Sequence, residues 1–119
     1  MANVEIAKPK PITIEVDGET YTLEFNRNSV VSAEQAGFRG ELITEMPMTM
    51  IPLLFYAAFK MHHPKITREQ TDSILFDKEE DGIITGEFIE RLSELYAVPT
   101  RALLRGKDAG EPKNVKISL

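Results

Sequence analysis

Hydrophobic and polar positions alternate strictly in two short stretches: Ile12, Ile14 and Val16 against Thr13 and Glu15, then Tyr21, Leu23 and Phe25 against Thr22 and Glu24. Period two is the pattern of a half-buried strand. Asp17-Gly18 lies between the stretches, a pair that adopts the positive φ angles of a two-residue type I′ turn. The pattern predicts a β-hairpin over 12–25 with one apolar face, the other carrying Glu15, Thr22 and Glu24. Two strands are marginally stable alone, so the apolar face must rest on helices or on another chain.

Beyond the hairpin the period becomes helical. Asn28 or Ser29 can cap a helix over about 29–36, with Val30, Val31, Ala33 and Ala36 on its apolar side and Gly37 as its stop. Residues 38–45 read as loop. Between Met46 and Met61 only Thr49 and Lys60 carry polar side chains, and the apolar residues cover every side of a helix over about 49–62, with Pro52 fitting its first turn. Such a helix is buried all round or covered by a partner. His62-His63-Pro64 ends it, because the residue before a proline avoids the helical region.

Thr67-Arg68-Glu69-Gln70 matches a capping box and opens a helix over 68–75. Phe76 to Gly82 reads as loop, and Thr85 caps a helix over 86–97 whose Phe88, Ile89, Leu92, Leu95 and Tyr96 form one stripe. Pro99 ends that helix, and 100–105 forms one more short helical piece stopped by Gly106. The fold class is α+β, an N-terminal β-hairpin followed by a small bundle of four to five α-helices. Residues 1–11, ending in Lys8-Pro9-Lys10-Pro11, form a flexible leader, 12–105 the single domain, and 106–119 a mobile basic tail.

Composition narrows the function classes. The 119 residues are 42% apolar, enough for one modest core, and 14 basic against 19 acidic residues give a net charge of −5, which disfavours a grip on nucleic acid. Without cysteine there are no disulfides, thiol nucleophiles or thiolate zinc sites. The opening residues lack the apolar core of a signal peptide, and the apolar run is shorter than the roughly 20 residues of a membrane span. The expectation is a soluble intracellular protein that engages neither membrane nor nucleic acid. Charge is uneven: Arg68 to Glu94 holds nine acids and three bases, Arg101 to Leu119 two acids and five bases. Electrostatic steering or self-association would follow from this, or simple solvation.

Asp77, Glu79 and Asp81, followed by Gly82 and Ile84, resemble positions 1, 3, 5, 6 and 8 of a calcium-binding EF-hand loop. Position 12 must be a bidentate acid, yet it is Phe88, and Glu87 one residue earlier points about 100° away on a helix. A solvated acidic turn is the simpler reading. Adjacent His62 and His63 diverge by about 100° and cannot chelate one metal as an i, i+4 pair does, so they read as polar residues at a helix end. No serine sits in a nucleophile elbow and no glycine-rich phosphate loop occurs. The chain does not read as an enzyme, and it calls for no cofactor.

The methionine-rich helix is the feature that suggests function. Four of the five methionines fall between Met46 and Met61, among Leu53, Phe55, Tyr56 and Phe59, and unbranched polarisable side chains let a surface mould to apolar partners. Candidate contact residues are Met46, Met48, Met50, Leu54, Phe55, Phe59 and Met61. A plain core helix with methionines filling gaps is the competing reading.

Taken in order, ITIEVDGETYTLEFNRNSV, the helix ending in EQAGF, PLLFYAAFKMHHP, ITREQTDSIL and FIERLSELY resemble tail assembly chaperones of long-tailed, siphovirus-type bacteriophages and prophages over about residues 11–105. The succession carries the resemblance, above all Glu24-Phe25-Asn26-Arg27-Asn28 and Phe59-Lys60-Met61-His62-His63-Pro64. It implies a small non-enzymatic protein of the host cytoplasm, absent from the mature virion. Such a protein coats the tape measure protein until tail tube subunits displace it. The methionine-rich helix and the free edge of the hairpin are the expected contact surfaces, and both favour self-association. The family also makes a longer form by ribosomal frameshifting, which codons rather than residues would reveal. Alternatives are a degenerate EF-hand-like regulatory protein using Asp77, Glu79 and Asp81, and a structural tail connector or completion protein.

Overall fold

The computed structural model describes residues 9–77 and 85–109. Strands β1 (Ile12–Val16) and β2 (Glu19–Leu23) form an antiparallel hairpin in which Ile14 pairs with Tyr21. Asp17 and Gly18 both have positive φ, 52° and 83°, as the tight turn requires. Among the described residues four helices follow: α1 (Arg27–Gln35), α2 (Pro47–Lys60), α3 (Arg68–Asp77) and α4 (Gly86–Ala109), with a 3-10 turn at Gly40–Leu42 inside the segment expected to be loop. The chain is thus α+β, a hairpin followed by helices.

Local chemistry explains most boundaries. The α1 cap is Asn26, two or three residues before the expected cap at Asn28 or Ser29. Its side chain accepts from the Ser29 amide at 2.8 Å while Ser29 Oγ accepts from the Asn26 amide at 2.9 Å. Ser29 is therefore the third helical residue of a reciprocal box, and it is buried. At the other end Gly37, at φ 104°, lets the Gly37 amide reach the Glu34 carbonyl and the Phe38 amide reach the Ala33 carbonyl, the double bond of a Schellman stop. The stripe that α1 buries is narrower than expected, Val30 and Ala33, with Val31 left exposed.

The α3 cap forms as expected. The Thr67 amide donates to Gln70 Oε1 at 2.9 Å and the Gln70 amide to Thr67 Oγ1 at 3.1 Å. The helix extends through Asp77, two residues beyond the expected end. Thr85 Oγ1 accepts from the Phe88 amide at 3.1 Å, opening α4 as expected.

Two proline expectations need correction. α2 starts at Pro47, so Pro52 is its sixth residue rather than part of its first turn, and it cannot donate to the Met48 carbonyl four residues back. Nor does Pro99 end a helix: α4 continues through it to Ala109, merging the expected segments 86–97 and 100–105. A proline removes one bond and bends a helix, but strong helix formers on both sides (Leu95, Ala97, Ala102, Leu103) carry the helix through.

The core forms where the hairpin lies on the helices. Ile12, Ile14, Val16 and Leu23 from the hairpin join Val30 and Ala33 of α1, the inner face of α2, Ile74 and Leu75 of α3, and Phe88, Leu92 and Leu95 of α4. Small residues set the approach of β2 to α2. Ala57 and Ala58 are buried, and the Glu24 amide donates to the Ala58 carbonyl at 3.0 Å, satisfying an acceptor that the end of the helix leaves open. Edge-to-face pairs tie the layers, Tyr21 on Phe59, Phe59 on Phe55, and Tyr96 between Phe25 and Phe38. Gly106, the expected stop, lies within α4, so residues 106–109 of the expected tail are helical, while the leader up to residue 8 and the tail from residue 110 fall outside the described residues.

Candidate partner-binding surface

Helix α2 is not apolar surface all round. Of the seven expected contact residues, Met50, Leu54, Phe55 and Phe59 are core, the last three with no exposure at all. These four are corrected from contact residues to core residues, because the docking of β2, α1, α3 and α4 selects them as the inward face. Met50 has a polar role too, its Sδ accepting from the Arg39 amide at 3.4 Å.

Met46, Met48 and Met61 stay outside. Met48 is 73% exposed, Met46 45% and Met61 38%. Met46 precedes α2 and Met48 is its second residue, so both lie at its N-terminal end, with half-buried Ile51 one turn on from Met48 on the same side. Met61 follows Met48 by thirteen residues, about 20 Å along a helix axis. It borders a shallow depression of about 250 Å³ with Asn28, Ser32 and Lys60. The expected single methionine surface is therefore two separate places at opposite ends of one helix.

Polar side chains hold the C-terminal end of α2 against the hairpin. The Thr22 amide donates to His63 Nε2 at 3.0 Å, and the His63 ring meets Tyr21 edge-on at 5.2 Å between centroids. His62 Nε2 lies 2.8 Å from Glu24 Oε1. Lys60 Nζ donates to the Pro64 carbonyl at 3.1 Å, covering the end of the helix where cations are favoured. The two histidines are thus long-range ties, and Thr22 and Glu24, expected on a free polar face, are engaged by them.

Sequence reasoning did not single out Phe76 on α3 or Leu103 on α4 as exposed apolar residues. They are 44% and 67% exposed. Phe76 borders an open groove of about 620 Å³ with Arg68, Asp72 and Ser73. Leu103 continues the α4 stripe of Leu92, Leu95 and Pro99 past the end of the core, and that continuing period was the signal for it.

Of the acid trio in the EF-hand-like segment, only Asp77 lies among the described residues. It closes α3 and accepts from Ser73 Oγ at 3.0 Å. Glu79 and Asp81 fall outside the described residues. Among the described residues no group of three metal-type side chains converges, and no helix is long and apolar enough to cross a membrane.

No curated protein and no solved structure matches this chain. One family model, described as Domain of unknown function (DUF5055), matches residues 1–119, the full length of the sequence, and the chain belongs to that family.

Proposed function

We propose that this protein is a non-enzymatic phage tail assembly chaperone that binds the tape measure protein and keeps it soluble during tail morphogenesis. The observation that carries the reading is the exposure of Met46 and Met48, two adaptable apolar side chains at the N-terminal end of a helix whose other side is core. A long apolar helical client needs contacts that mould to it rather than a shaped pocket. The net charge of −5 keeps such a surface in solution. The succession of hairpin, capped helices and His62-His63-Pro64 supplies the resemblance behind this reading. On it, the protein works in the host cytoplasm, hands its client to tail tube subunits and is absent from the finished particle.

Co-expression with the tape measure protein of the same phage or prophage, followed by pull-down, tests the proposal. A soluble complex that is lost with Met46→Asp plus Met48→Asp, at unchanged melting temperature, supports it. Failure of the wild-type chain to solubilise that client, or recovery of the protein from purified virions, overturns it, the second outcome making it a structural tail component.

A further inference from the structure

Among the described residues, the hairpin has one edge that the end of α2 covers and one with which no strand pairs. In a hairpin with a two-residue turn, the pair flanking the turn exchanges both backbone bonds, and the pairs then alternate. Here Val16 opposite Glu19, Ile14 opposite Tyr21 and Ile12 opposite Leu23 are bonded pairs, whereas Thr13 opposite Thr22 and Glu15 opposite Thr20 turn their amides and carbonyls outward. The bond from the Thr22 amide to His63 confirms this phase independently, because only an outward amide can reach the imidazole. On β1 the matching outward groups belong to Thr13 and Glu15. Among the described residues no strand pairs with that edge, since the sheet has two strands only.

We infer that the outer edge of β1 pairs with β1 of a second copy, antiparallel and centred on Ile14, to give a continuous four-stranded sheet. Three observations select a copy of this chain. The edge is self-complementary in this register, with each Thr13 opposite the other copy's Glu15, so both outward residues of one copy meet outward residues of the other. Centring on Glu15 would set two carboxylates face to face, and centring on Thr13 would spend a pairing position on Pro11, which has no amide to donate. Charge agrees as well. Antiparallel pairing brings exposed Lys10 of one copy to the Asp17-Gly18-Glu19 turn of the other, whereas parallel pairing would set the acidic turns together.

The side chains also stay in phase. Ile12, Ile14 and Val16 are all buried on one face, and in this register Ile12 lies opposite Val16 and Ile14 opposite Ile14, so the apolar face runs across the junction without a slip. Pro11 ends the ladder at one side and the turn at the other, leaving about four backbone bonds between copies. That is a short seam, suited to reversible assembly.

The test uses the full chain alone, without client, so it stands or falls apart from the chaperone reading. Sedimentation of the wild type should show a concentration-dependent dimer that Thr13→Pro reduces to monomer at unchanged melting temperature, since the Thr13 amide takes no part in the hairpin's own ladder. Lys10→Glu should weaken the dimer at least several-fold. The chain has no cysteine, so register can be read covalently should the proline variant fail to fold. Thr13→Cys mixed with Glu15→Cys should cross-link on oxidation, because directly opposed bonded residues lie about 5.5 Å apart, within disulfide reach. Either variant alone should cross-link far less, its like positions being about two residues out of register and beyond about 7 Å. A wild type that remains monomeric to millimolar concentration overturns the inference. So does a dimer that persists in Thr13→Pro, or cross-linking as efficient in the single samples as in the mixture.

Discussion

The amide of Thr22 donates a hydrogen bond to Nε2 of His63 at 3.0 Å, joining a strand edge to the residue before Pro64 across 41 positions of sequence. To accept there, the imidazole must carry its proton on Nδ1. The same ring lies against Tyr21 and Phe59, so one residue both closes the outer edge of β2 and fills space over the core.

Replacing His63 separates those two contributions. His63→Phe keeps a ring against Tyr21 but leaves the Thr22 amide without its acceptor, and should cost about 1 kcal/mol in urea unfolding. His63→Ala also removes the packing and should cost about 2–3 kcal/mol. Equal losses for both would show that the ring packing contributes nothing, and an undiminished stability of His63→Phe that the hydrogen bond contributes nothing.

Within α2 the two sides should answer oppositely to the same chemistry. Phe55 has no exposure, so Phe55→Asp buries a charge among Phe59, Phe88 and Leu54 and should lower stability by about 4 kcal/mol or more, enough to unfold a domain of this size. Met48→Asp alters an exposed side chain and should leave the melting temperature within a degree or two, about 0.5 kcal/mol. Calorimetry on the pair checks the assignment of core and surface.

Cap chemistry predicts a smaller effect at Asn26. Its side chain satisfies the Ser29 amide, and Asn26→Ala should destabilise by about 1 kcal/mol, with Asn26→Gly losing only a few tenths. The same substitution at Asn28, inside the first turn, should cost much less, and chemical denaturation of the three variants would rank them.

Alkaline pH provides another test. Burial, and then the charge of Glu34, raise the Tyr96 hydroxyl above its ordinary value of 10.0, and burial followed by the charge of Glu19 does so for Tyr21. Each folded-state value exceeds the unfolded one, so the contribution is fully present below about pH 10 and is lost as pH rises through the folded value. Stability should therefore fall above about pH 10, and Tyr96→Phe should flatten part of that fall. Denaturant midpoints across the alkaline range, followed beside tyrosinate absorbance, would show it.

Reading the chain locally located most of the turns and caps that local bonds create, though not the Asn26 cap of α1 or the 3-10 turn at Gly40–Leu42. The Asp17-Gly18 turn, the Gly37 stop, the Thr67–Gln70 box and the Thr85 cap are formed by residues a few positions apart, and all stand where the sequence put them. Asn26 was legible too, since Ser29 follows it by three, but Ser is a less familiar partner in that position than Glu or Gln.

What the sequence determined by itself is thus the order and type of the elements, because turns, caps and periodicity depend on neighbours along the chain. Tertiary structure alone decided which side of α2 is core. A helix apolar on nearly every side carries no direction in its own pattern, and only the docking of β2, α1, α3 and α4 separates Leu54, Phe55 and Phe59 from Met46 and Met48. It also decided that His62 and His63 tie the hairpin to α2, since an imidazole gains such a role only when a distant strand presents an amide and a carboxylate to it. The course of α4 through Pro99 belongs with these, because a proline costs a helix one bond and some bending, and whether the helix survives depends on the stability of what lies on either side.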